Sequence, residues 1–276
     1  MRILVTNDDG VDSVGLHHLA ERLADDHDVV VAAPDREYSG AGAAIGTIHL
    51  IEPEVHRIDL PGTAEAWAVT GPPALCVMFA RLGAFGGPFD LVVSGVNPGA
   101  NSGRAIYHSG TVGAALTARG GRVSGIAVSQ AVEGFGVEGQ GWDEMLAGQC
   151  WDSACEVAAA TVDAFTTSPP DEAVIVNLNV PNLPLEQIKG WRRTEVATLP
   201  PRALTHAELE PKVGHQDTFY VRMGWGDPVE LPEHTDTGAI ERGYVSVSYL
   251  SRITDDPTAD LPALAARFAD LPLAPG

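Results

Sequence analysis

Five short stretches of this chain are apolar at nearly every position. They are Ile3-Leu4-Val5, Val29-Val30-Val31-Ala32-Ala33, Leu91-Val92-Val93, Gly125-Ile126-Ala127-Val128-Ser129 and Val174-Ile175-Val176-Asn177-Leu178-Asn179-Val180. A strand with one wet face alternates apolar and polar residues, whereas a continuous apolar run marks a strand covered on both faces. Between these runs lie segments of helical spacing. Val14, Leu16, Leu19, Ala20 and Leu23 form the first, and further helices are expected over about 74–82, 111–119 and 150–165. Pro72-Pro73 stands at the start of the second, where proline is tolerated. Strands buried on both faces and alternating with helices predict an α/β fold, a three-layer Rossmann-like domain with a mostly parallel sheet.

Two regions break that rhythm. Residues 131–148 are rich in glycine and acid and read as a surface excursion. From about Trp191 to Tyr249 helical periodicity is lost, and the β-like pieces 217–222 and 244–249 predict a C-terminal β-hairpin lobe or arm. Leu261 to Phe268 reads as a terminal helix. The expected organisation is a single domain over 1–276, with an α/β core to about 190, the arm over 191–250 and a C-terminal helix or tail over 251–276.

Charge and cysteine usage narrow the partners. Against 37 acidic side chains stand 17 Lys plus Arg, a formal net charge of −20. Such a field repels a phosphate polymer or an anionic membrane surface, so no nucleic-acid polymer and no membrane are expected as partners. No apolar stretch is long enough to span a bilayer, and the first nine residues carry acids where a signal peptide would not. Three cysteines, Cys76, Cys150 and Cys155, do not suit a disulfide framework; a cytoplasmic protein is the expectation.

In an open parallel sheet, ligands bind beyond the carboxyl ends of the strands. The first run is followed by Asn7-Asp8-Asp9-Gly10, the second by Asp35, Arg36, Tyr38, Ser39 and Gly40, the third by Ser94, Gly95, Asn97 and Asn101. This is a collection of oxygen donors, the preference of hard divalent cations. Adjacent Asp8 and Asp9 would repel each other at a strand end unless a cation lay near them. The plainer alternative, that one of them caps the next helix, competes with Ser13, which is better placed. Farther on, Tyr107-His108-Ser109-Gly110-Thr111-Val112 runs into a helix. Its hydroxyls and unpaired N–H groups, at the positive end of the helix dipole, would hold an anion; ordinary capping by Ser109 or Thr111 is the alternative. A cation beside an anion pocket points to metal-assisted hydrolysis of a phosphate ester. Asp-x-Asp, Gly-x-Gly-x-x-Gly and a Walker lysine are absent from the expected turns. The histidines lack zinc spacing. Trp142, Trp151, Trp191 and Trp225 are read as core packing, and Arg36 and Arg104 as solvated charges that could reach a phosphate or base.

Four motifs in order carry a resemblance: Asn7-Asp8-Asp9-Gly10, Ala33-Pro34-Asp35-Arg36 with Ser39-Gly40-Ala41, Ser94-Gly95-Val96-Asn97-Pro98-Gly99-Ala100-Asn101 and Tyr107-His108-Ser109-Gly110-Thr111-Val112. Together with Asn177-Leu178-Asn179-Val180-Pro181 and Gly243-Tyr244-Val245-Ser246-Val247 they resemble the SurE survival-protein family over roughly residues 1–250. The resemblance implies a cytoplasmic 5′/3′-nucleotidase that hydrolyses nucleoside monophosphates with Mg²⁺ or Mn²⁺, Ca²⁺ being able to take the place in a structure. It implies metal ligands Asp8, Asp9, Ser39 and Asn97, phosphate contacts Ser109, Gly110 and Thr111 with Asn101 beside them, and catalysis by Asp8 and Asp9, Asp8 being the candidate base. His108 is a candidate leaving-group acid. A homodimer or homotetramer with an exchanged C-terminal arm is also implied. The chain departs from the family pattern at Pro72 and Leu75, where Thr and Asp are usual, and at Gly42, Gly46 and Thr117. Those departures leave a second reading, a non-catalytic nucleotide- or metal-binding regulator, but none removes an expected ligand.

Overall fold

The computed structural model describes residues 1–46, 48, 52–132, 145–254 and 257–258. The 133–144 part of the acidic excursion, Trp142 and the expected helix at 261–268 lie outside the described residues. The first apolar run is β1 (Arg2–Thr6), followed by α1 (Val14–Ala24) and β2 (Asp28–Pro34). Then come β3 (Val55–Ile58), β4 (Glu65–Val69), α2 (Pro73–Arg81), β5 (Leu91–Pro98), α3 (Gly110–Gly120), β6 (Ser124–Gln130), α4 (Trp151–Thr167) and β7 (Ile175–Val180). The chain continues through β8 (Trp191–Arg193), β9 (Arg202–Pro211), β10 (Phe219–Pro228), α5 (Asp236–Glu241) and β11 (Val245–Leu250).

The main sheet has nine strands in the order β3-β4-β2-β1-β5-β6-β7-β11-β8. The six from β4 to β7 are mutually parallel, β3 and β11 run antiparallel to their neighbours β4 and β7, and β8 is parallel to β11. Alternate side chains of the buried runs feed two cores. Ile3, Val5, Val29 and Val31 pack with Leu16, Leu19 and Leu23 of α1 and Ala154, Ala158 and Val162 of α4. Leu4, Val30 and Ala32 face the other way, against Cys76, Val77 and Ala80 of α2 and Ala114 and Ala118 of α3. Leu16, Leu19 and Leu23 are each at most 1% exposed, a burial worth about 1.5–3 kcal/mol per side chain. Ser13 caps α1, its hydroxyl accepting from Leu16 N–H.

The strand order reverses direction beside β1. From β1 the chain steps outward to β2 and β4, then returns through α2 to β5 on the opposite side of β1. The carboxyl ends of β1 and β5 therefore flank the crevice where such sheets bind ligands.

The structure adds what periodicity did not signal. The β3–β4 hairpin has no continuous apolar run: β3 is largely exposed and β4 alternates. Of the 191–250 stretch, β9 and β10 form a separate two-stranded ribbon, whereas β8 and β11 complete the main sheet. Trp191 and Trp225 are not core residues, being 66% and 53% exposed. Trp151 does pack against the α1–α4 core. No helix among the described residues is long and apolar enough to cross a membrane.

Candidate active site

Asn7, wholly buried at the end of β1, shapes the turn that presents the two acids. Its Nδ2 donates to Gly10 O at 2.9 Å and to Ser13 Oγ at 2.7 Å, folding the turn back onto the start of α1. Gly10 sits at φ +100°, and a Cβ there would lie 3.1 Å from the Arg36 backbone, so the turn and the 35–40 loop meet only across a glycine. Tyr38 N–H donates to Asp8 O at 2.7 Å. That bond brings Ser39, the next residue, to the rim of the same turn, where it is exposed.

The Asp8 carboxylate is buried against the start of α3. Its Oδ2 accepts from Gly110 N–H at 3.0 Å and its Oδ1 from the Thr111 hydroxyl at 2.5 Å. Thr111 Oγ1 is also 3.3 Å from Asn97 Oδ1. Asn97 is turned by its own Nδ2, which donates to Gly99 O at 2.7 Å, so its oxygen is left on the Asp8 side. Ser109 is the N-cap of α3, with Oγ accepting from Val112 N–H at 3.1 Å; that leaves its O–H as a donor. Gly110 is required by proximity, since a Cβ would stand 2.8 Å from both Asp8 Cβ and Oδ2. Asn97, Asp8, Gly110 and Thr111, drawn from three segments, thus meet at the switch point.

Asp9 is arranged differently. Its Oδ2 is shut off from solvent and has no hydrogen-bond partner. Burial, then the charge of Asp8, then that of Glu37, pushes its carboxyl up to about 8. Burial also raises Asp8, but the Thr111 hydroxyl and the N–H groups of Thr111 and Gly110 pull the other way by favouring its anion. Asp8 is the anchored acid and Asp9 the one with an uncommitted oxygen, a division of roles that the sequence does not show.

These residues fit a hard divalent cation. The available donors are all oxygens, an orphaned buried carboxylate oxygen lies among them, and the charge of Asp8 helps to raise Asp9 for want of positive charge. Among the described residues no group of three or more His, Cys, Asp or Glu could hold a metal, so a cation here would rest on two carboxylates with amide and hydroxyl oxygens.

Not every expected residue is drawn into this cluster. Asn101 is buried but its Nδ2 donates to Ser129 Oγ at 2.9 Å, tying it to β6. Arg36 and Arg104 are exposed, Arg36 lying over the Tyr38 ring at 5.3 Å. His108 is exposed and holds the 41–46 loop through its carbonyl, which accepts from Gly42 N–H at 3.0 Å. Gly42 has φ +55°, and a Cβ would be 3.2 Å from Tyr107 O, which gives the glycine at this departure from the family pattern a local reason. Pro72 and Leu75 are buried at the start of α2. The roles of Asn7 and Glu37 escape sequence reading, because turn-forming amides and loop acids are common.

A doubly wound α/β sheet with paired acids at its switch point, facing a helix N-terminus, defines a protein class suited to holding a cation and an anion side by side. The chain belongs to the SurE family: the family model described as "Survival protein SurE" matches residues 3–200. It is 37% identical over 250 residues to a protein named 5′-nucleotidase SurE from Actinobacillus pleuropneumoniae serotype 5b, covering 90% of this chain and 92% of that one. It is 34% identical over 251 residues to a 5′/3′-nucleotidase SurE from Erwinia tasmaniensis, covering 91% and 90%. The crystal structure of the SurE protein from Aquifex aeolicus superposes with a TM-score of 0.74 at 27% identity, over 98% of this chain and 100% of that one.

Proposed function

We propose that this protein hydrolyses nucleoside monophosphates to nucleoside and phosphate, with a divalent cation held by Asp8, Asp9, Asn97 and Ser39. The observation that carries the reading is the Asp8–Asp9 pair, with Asp9 Oδ2 buried and unpartnered, set against the N-terminus of α3, whose Gly110 N–H and Thr111 hydroxyl already meet Asp8. A bound Mg²⁺ or Mn²⁺ supplies Lewis acidity and lowers the pKa of water. The chain's own residues do the rest. Asp8 is fixed in place by its bonds to α3. Asp9 Oδ2, buried and uncommitted to any donor, would be the oxygen that Asp9 offers the cation, and Asp8 remains the candidate base for the attacking water. The Ser109 hydroxyl and the dipole of α3 face developing negative charge on the phosphate. The names of the relatives, 5′-nucleotidase and 5′/3′-nucleotidase, support the substrate class.

Assembly as a homodimer or homotetramer through the arm is part of the same reading. Every residue of β9 is exposed, and the ribbon leaves Leu209, Val221 and Met223 at least 59% exposed, an apolar surface that a second copy would cover. Buried thiols at Cys76 and Cys155 suit a reducing cytoplasm. The test is phosphate release from a panel of nucleoside 5′- and 3′-monophosphates, with chelator and after adding back Mg²⁺ or Mn²⁺. Metal-dependent release is expected. Metal-independent release, or none from a folded protein with metal present, overturns the proposal.

A further inference from the structure

Asn177 and Asn179 are the two amides in the otherwise apolar run of β7, and both are fully buried. Val176 and Leu178, which alternate with them, face the α1–α4 core, so the amides point to the other face. Both Nδ2 atoms donate to a single carbonyl, Asn101 O, at 2.9 and 3.1 Å. Both Oδ1 atoms are left buried with no partner. Turning either amide over would set its oxygen against the Asn101 carbonyl, so the orphaned oxygens are the consequence of gripping that carbonyl. Unsatisfied buried acceptors weaken a fold; stability alone does not account for the pair.

A second clamp acts two residues further along. Gly103 N–H donates to Asp236 Oδ2 at 2.8 Å, and the Thr237 hydroxyl donates to Ser102 Oγ at 2.8 Å. Asp236 is fully buried at the start of α5. Its Oδ1 accepts from Ala197 N–H at 3.0 Å and Thr237 N–H at 2.8 Å. Gly103 lies at φ +52°, and a Cβ there would be 3.2 Å from Ala197 O, so the close approach needs glycine. The segment Asn101–Gly103 is thus pinned by β7 and α5. It is the middle of the β5–α3 connection, whose two ends carry Asn97 and Ser109-Gly110-Thr111.

We propose that Asn177, Asn179 and Asp236 are positioning residues, which fix the 99–107 connection so that Asn97 and the start of α3 meet Asp8 in register. The kinetic part of this proposal rests on the nucleotidase reading; the anchoring part does not. Asp236→Asn is the discriminating variant. The side chain keeps its shape, and the one remaining carbonyl oxygen can retain the Ala197 and Thr237 N–H groups, but an amide N–H then faces Gly103 N–H. Asn179→Ala, which removes one of the two donors on Asn101 O, is the second variant should the first fail to fold.

Both are made in the full chain loaded with Mn²⁺. Amide hydrogen exchange is followed across 99–107 and across α1, with calorimetric binding of inorganic phosphate and kcat and KM for adenosine 5′-monophosphate. Exchange over 99–107 is expected to quicken at least tenfold with α1 unchanged, and phosphate affinity to fall. The kcat should drop roughly tenfold to a hundredfold, the scale set by small misplacements of reacting groups. Unchanged exchange over 99–107 overturns the proposal, as does an equal rise in α1, which marks general destabilisation. Faster exchange with wild-type phosphate affinity and wild-type kcat also overturns it. A wild-type protein that binds phosphate but releases none from the nucleotide defeats the nucleotidase reading, while exchange and phosphate affinity still decide the positioning.

Discussion

Replacing Asp9 by Asn should stabilise the metal-free protein while removing its function. The folded protein holds the Asp9 carboxyl at about 8 against an ordinary value of 3.8. A group raised in this way binds its proton more tightly in the native state. Its contribution is therefore fully present below pH 4 and is lost as pH rises through 8. At about 1.4 kcal/mol per pKa unit, and with about three units traversed by pH 7, the ceiling is roughly 4 kcal/mol. Asp9 is partly exposed, and screening on its open side reduces the figure to about 1–3 kcal/mol. In a domain of this size that is a rise in Tm of roughly 3–10 °C. The assay is thermal unfolding of chelator-treated wild type and Asp9→Asn at pH 4, 6 and 8, then with Mg²⁺ or Mn²⁺ added. The two curves should coincide at pH 4 and separate progressively by pH 8, with the variant the more stable. Added cation should raise the wild type and close much of the gap. An Asp9→Asn protein no more stable than wild type at pH 8, or a wild type that gains nothing from cation, would show that burying the Asp9 carboxylate does not destabilise the metal-free fold.

Other substitutions probe the same site from other sides. Asp8→Asn should leave the fold intact and lower turnover at least a hundredfold, because the anion that accepts from Gly110 and Thr111 is lost; steady-state kinetics beside circular dichroism checks both halves. Gly110→Ala would put a methyl 2.8 Å from Asp8 Oδ2, so it should depress kcat/KM by tenfold or more, an effect of close packing at a reacting group; near-normal activity would show that α3 does not sit against Asp8. Gly113→Ala would place its Cβ 2.1 Å from Gly42 O and should push the 41–43 loop away, with faster protease cleavage in that loop and weaker cation binding through Ser39.

The continuous runs Val29–Ala33 and Leu91–Val93 made the parallel sheet and its two covering layers legible in the sequence, because a strand dry on both faces has no polar alternation to hide it. The same logic fails at β3, four residues at an exposed edge, and at β8, where Trp191 and its neighbours are exposed. Asp8, Asp9 and the Ser109–Thr111 turn could be found because strand ends and helix starts in this fold are where chemistry collects. What stayed hidden were the long-range partners. Nothing local says that Gly110 meets Asp8 across more than a hundred residues, that Asp236 grips Gly103, or that Asn177 and Asn179 share one carbonyl. The amides in an apolar strand were a visible anomaly, but their target depends on the crossover that brings Asn101 over β7.

Asp8 and Asp9 should together hold one divalent cation at the β1–β5 switch point. Titration of the chelator-treated protein with Mn²⁺, followed by electron paramagnetic resonance, tests it directly. One bound Mn²⁺ per chain is expected, and it should be lost in Asp8→Asn. Full occupancy in Asp8→Asn, or no site in the wild type, would contradict it.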